Sequence, residues 1–109
     1  MPYIKNIRRD VLKSVINEAK DKLKNLQHEP PKTVGTANPD EPPLCPGDLN
    51  YLITAICHEY IRAKGMSYQS FNDIMGVLRG VDVELYRTVI GPYEEVKRIQ
   101  NGRVSDIEG

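Results

Sequence analysis

A chain of 109 residues fits a single domain, residues 1–109, with room for only a modest core. Fifteen basic and fifteen acidic residues cancel, so no net charge marks the chain for nucleic acid or an anionic membrane surface. Two cysteines, Cys45 and Cys57, are too few for a disulfide framework. No apolar run reaches the length of a membrane span, and the opening MPYIKNIRRD lacks the apolar stretch of a signal peptide, which together point to a cytoplasmic protein with reduced thiols.

The first predicted helix lies within NIRRDVLKSVINEAKDKLKNL. Ile7, Val11, Leu12, Val15, Ile16, Ala19, Leu23 and Leu26 recur at helical spacing on one broad face. Asn6 is the expected N-cap, with Ser14 as a second candidate start, and Glu18 precedes Lys22 by four residues, the favourable order for a helical ion pair. Lys5, Arg8, Arg9 and Lys13 form the strongest basic patch.

Residues 28–46, HEPPKTVGTANPDEPPLCP, hold six of the eight prolines and read as an extended surface loop. They are no domain boundary, because neither side is large enough to fold alone.

The second helix follows, with Asp48 or Gly47 as its cap and Gly65 as its stop. Its core stripe is Leu49, Leu52, Ile53, Ile56, Tyr60 and Ala63, while Tyr51 and Ile61 fall off that stripe. SFND starts the third helix, Ser70 and Asp73 satisfying each other's backbone donors. Its stripe is Phe71, Ile74, Met75, Leu78, Leu85 and Val89. Asp82 points the same way, a deviation that a phase shift at Gly80 or a buried, paired carboxylate would explain.

Gly91-Pro92 ends or kinks this helix. PYEEVKRIQNG then reads as a last helix with Glu94 paired to Arg98 and a stop at Asn101-Gly102. The terminal segments PYIK and GRVSDI are β-tolerant and could pair as a short ribbon. The expected fold is all-α, a small bundle of three to four helices with a long Pro-rich loop.

Gly76 and Gly80 form a small-xxx-small pair opposite the core stripe, suited to close approach of another helix. With Tyr51 and Ile61 off their own core face, this points to a homo-oligomer.

Catalytic constellations are scarce. Cys45, Cys57 and His58 lack the paired spacings of a zinc site, and HEYIR at 58–62 carries Arg62 where a zincin has its second histidine. Cys57 and His58 are adjacent on a helix, so their side chains diverge by about 100° and cannot act as nucleophile and base. Neither phosphate-loop motif nor G-x-S-x-G occurs. Glu18 and Asp21 imitate one acidic pair of the all-α, Mg²⁺-dependent nucleoside triphosphate pyrophosphohydrolases, but no second pair follows. No metal ligand set, cofactor or catalytic residue is assigned on these grounds.

MPYIK at the start, GDLNYLIT at 47–54, GVL at 76–78, VELYR at 83–87, GPYEEVK at 91–97 and NGRV at 101–104 make the chain resemble a family of small uncharacterised proteins of tailed phages and prophages. The resemblance covers both ends and most of the second half. The Pro-rich loop is longer than the family's connection, and Gly80, Thr88 and Arg103 depart from its pattern. It implies a helical phage accessory protein in the host cytoplasm and implies no activity. The polar motif members are therefore candidate binding positions: Asn50, Tyr51, Glu84, Arg87 and Tyr93, with His58 beside Asn50 and Thr54 on one helix face. The expected function is non-catalytic binding of a host protein or a small nucleotide-like ligand.

Overall fold

A computed structural model describes residues 4–29 and 42–108. All regular structure among them is helical: α1 over Asn6–His28, α2 over Pro46–Lys64, α3 over Tyr68–Leu85, a π-helical turn over Tyr86–Ile90, α4 over Gly91–Asn101 and a final 3-10 turn over Asp106–Glu108. The fold is all-α. The chain divides into two units, Tyr3–Gly65 and a second that includes Met66–Gly109, so the division falls at Gly65 and not in the Pro-rich stretch. Most of that stretch, residues 30–41, lies outside the described residues.

In the first unit, α1 runs unbroken through Ser14, whose Oγ bonds back to the Val11 carbonyl at 3.5 Å. Its N-cap is Lys5, not Asn6, and no side chain closes this end. Ala19, Leu23 and Leu26 are half-buried, whereas Ile7, Val11, Leu12, Val15 and Ile16 on the same stripe remain exposed.

The start of α2 corrects the expected cap. Cys45 is the N-cap and Pro46 the first helical residue, where a missing N–H costs nothing. Cys45 N–H donates to Asp48 Oδ2 at 3.0 Å and the Cys45 thiol donates to the same oxygen at 3.4 Å, a capping box with sulfur in the place of a hydroxyl. Asp48 stands too deep in the helix to cap it, but three residues from Cys45 it completes the box. Gly65 ends the helix at φ 107°, a conformation that L side chains avoid. Cover on α2 falls on Leu52, Ala55, Cys57 and Ile61, while Leu49, Ile53, Ile56 and Tyr60 of the expected stripe are exposed.

In the second unit, the cap of α3 lies three residues before the expected one in SFND. Ser67 is the N-cap, and its Oγ accepts from the Ser70 amide at 3.2 Å. Ser70, 3 % exposed, is thus an internal member of the cap, and Asp73 instead accepts from Gln69 Nε2 at 2.8 Å. The helix is regular through Gly80, so no phase shift occurs there.

The shift comes later, at the π-turn. Pro92 has no N–H and its ring would press on the carbonyl four residues back, so a regular α-helix cannot run through it unchanged. One extra residue in the turn opens that contact, and Gly91 N–H reaches the Tyr86 carbonyl five residues back. Of the two outcomes expected at Gly91-Pro92, an end or a kink, the end does not occur; α3, the π-turn and α4 follow one another directly. Gly102, at φ 87°, stops α4.

On α4 the ion pair is Glu95–Arg98, not Glu94–Arg98, with Arg98 Nη2 at 2.6 Å and Nε at 3.1 Å from the carboxylate. The terminal ribbon is absent from the described residues. Val104 N–H is taken by Glu108 Oε1 at 3.1 Å, a local bond that closes a turn where a ladder would have run. Pro2 and Tyr3 of the other proposed strand lie outside the described residues.

Candidate functional site

The six candidate residues fall into two local groups, three in each unit. In the first, the α2 start aims Asn50 and Tyr51 outward. Together with Pro46, Gly47 and Thr54 they line an open hollow of about 430 Å³. Thr54 Oγ1 donates to Asn50 Oδ1 at 3.1 Å, which fixes the amide and leaves its NH₂ turned outward. Tyr51 is 79 % exposed. His58, one turn further along, is exposed and is no part of this hollow.

Tyr51 also borders a second, mostly apolar groove of about 430 Å³ between α1 and α2, where Leu23 and Leu26 face Leu52 and Ile56. Glu18, Lys22 and Asp48 stand on its rim. The sequence presents Glu18 and Lys22 only as a helical pair at four-residue spacing. Periodicity within one helix gives no register between two, so the groove had no sequence signal.

In the second unit, Arg87 Nη2 donates to Glu84 Oε1 at 2.6 Å, a pair three residues apart on the helix. Glu84 is the less exposed partner. Arg87 joins Asp82, Val83, Tyr86, Gly91 and Pro92 around an open hollow of about 560 Å³ against the π-turn. π-turns recur at functional positions because they re-aim the side chains after them. Tyr93 lies beyond, with the Lys97 ammonium 5.5 Å above its ring.

On α4 one ion pair perturbs its own members. The hydrogen bonds from Arg98 hold the Glu95 carboxyl below the usual glutamate range, and the same bonds raise Arg98. Both groups are exposed, so this is a surface pair and not a catalytic dyad. Among the described residues no three of His, Cys, Asp or Glu converge to hold a metal ion. No described helix is long and apolar enough to cross a membrane.

The hollows thus offer polar groups beside apolar walls, open to solvent. Comparison with known families gives a match that spans almost all of the sequence. The chain belongs to the family described as Domain of unknown function (DUF6899), whose model matches residues 1–104. No curated protein and no solved structure matches it.

Proposed function

We propose that the chain is a non-catalytic helical binding protein, a small phage-type accessory protein that works as an oligomer and engages a host protein. The observation that carries this reading is coverage. Among the described residues no hydrophobic side chain is buried, and large apolar side chains are exposed on every α-helix. Apolar area of this extent is what a helical surface presents when a second protein surface completes it. The hollows support a protein partner over a nucleotide-like ligand. Small-molecule sites enclose most of their ligand, and these are open depressions.

Mass in solution and a thermal-shift panel of nucleotides test the reading on the full chain. The expected result is a mass above the monomer and no nucleotide shift. A strict monomer whose melting temperature rises with a nucleotide would replace it with the small-ligand form. A Mg²⁺-dependent pyrophosphohydrolase is tested in parallel. Release of pyrophosphate from a nucleoside triphosphate, lost in Glu18→Ala, would overturn the non-catalytic reading.

A further inference from the structure

On α3, Phe71, Ile74, Leu78, Val81 and Leu85 follow one another at alternating steps of three and four. These are the a and d positions of a heptad, the narrow seam that a single partner helix fills, where a helix packed on a globular core shows a wider stripe. Ile74 is half-buried, and exposure at the other seam positions runs from 36 % at Leu78 to 50 % at Leu85. Within its own unit α3 contacts the π-turn that follows it, and among the described residues no helix of that unit folds back across it.

The charges beside the seam say what covers it. Asp82 takes the flanking e position, and Arg79 lies one step further round on the same side. Ion pairs at three-residue spacing elsewhere in the chain, Asp10–Lys13, Glu59–Arg62, Glu84–Arg87 and Glu95–Arg98, all place the acid before the base. Arg79 and Asp82 have the reverse order, which suits a helix less well, and they make no ion pair among the described residues.

We infer that α3 pairs antiparallel with α3 of a second copy, Leu78 against Val81 and Ile74 against Leu85 of the other chain. An antiparallel pair related by a two-fold axis brings like flanks together. Arg79 then reaches Asp82 of the second copy and Asp82 reaches its Arg79, two equivalent bridges at the centre of the seam. In a parallel pair Asp82 would face Val77 across the seam, with no counter-charge. The charge pattern thus selects the antiparallel arrangement and accounts for a carboxylate beside an apolar seam.

The inference deepens the oligomeric reading above and rests on it. Sedimentation equilibrium of the full chain, with helicity followed by circular dichroism, tests it. The wild-type mass should be a dimer or a multiple of it. Asp82→Arg or Arg79→Asp should each weaken association about tenfold, as two bridges become two repulsions. The double variant should recover it, and Leu78→Asp should abolish it. An oligomer untouched by all four would overturn the seam and leave the binding reading standing. A double variant no tighter than its parents would overturn the antiparallel register. A strict wild-type monomer would overturn both readings.

Discussion

At Gly91 the lack of a side chain is a steric requirement. A Cβ built there would sit 2.8 Å from the Tyr86 carbonyl oxygen, closer than real side-chain carbons approach backbone. The backbone itself is ordinary, at φ −58°, so the constraint is space and not torsion. Gly91→Ala should cost about 1–3 kcal/mol in thermal unfolding, the scale of an overpacked contact, because the oxygen cannot move without opening the π-turn. Glu95 shows a residue-scale effect of another kind. Its folded pKa is depressed by Arg98, so the pair contributes above the unfolded carboxyl's pKa, and the contribution is lost as pH falls through the lower folded value. An NMR titration should find the Glu95 carboxyl below the usual glutamate range, and Arg98→Ala should return it there.

At the scale of elements, the ends of helices decide more than their middles. The box of Cys45 and Asp48 closes the start of α2 from both sides. Asp48→Ala should destabilise by about 1 kcal/mol, a typical capping loss, measured by urea unfolding. Gly76 and Gly80 behave oppositely to Gly91, for a Cβ at either meets nothing within 4 Å. Gly76→Ala should therefore stabilise α3 by about 1 kcal/mol and leave the mass in solution unchanged; a loss of association would place the partner helix on the glycine face. Helix existence was legible because Val11, Val15, Leu23 and Leu26, or Phe71, Ile74 and Leu78, keep helical spacing. Helix starts were misplaced by one to three residues, because Cys45 is a rare cap and because Ser67 competes with Ser70 for the same role. Whether Gly91-Pro92 ends the helix or only kinks it could not be decided from spacing, for a definite reason. Gly91-Pro92 is a stop signal in an α-helix, and only an added residue in the turn makes it passable. Of the candidate positions, Glu84–Arg87 could be read from spacing alone. The hollow that Arg87 borders could not, since it exists only once the π-turn has rotated Tyr86 and Pro92 into place.

For the molecule as a whole, the governing fact is that no described hydrophobic side chain is buried. Folding must offset roughly 1–2 kcal/mol of backbone entropy per residue, and removing apolar area from water is the main driving force that can do so. A chain whose apolar faces are completed by association has a stability that depends on its own concentration. The melting temperature should rise by several degrees for each tenfold increase in protein concentration, read by circular dichroism across dilutions. A concentration-independent melt would mean that each chain completes its own core. Membership of the family matching residues 1–104 gives that test wider reach, because the α3 seam lies wholly inside the matched region.

The sulfur cap of α2 also has a practical side. Both thiols are free and half-buried, which invites thiol-directed labelling or a cysteine-free variant. The two are not equivalent. A reagent that alkylates Cys45 removes the S–H that donates to Asp48 at the first turn of α2, and a label placed there reports on the damage it causes. Cys45→Ser keeps an oxygen in the capping position and preserves the helix start, whereas Cys45→Ala discards it. Probes belong on Cys57, in a Cys45→Ser background.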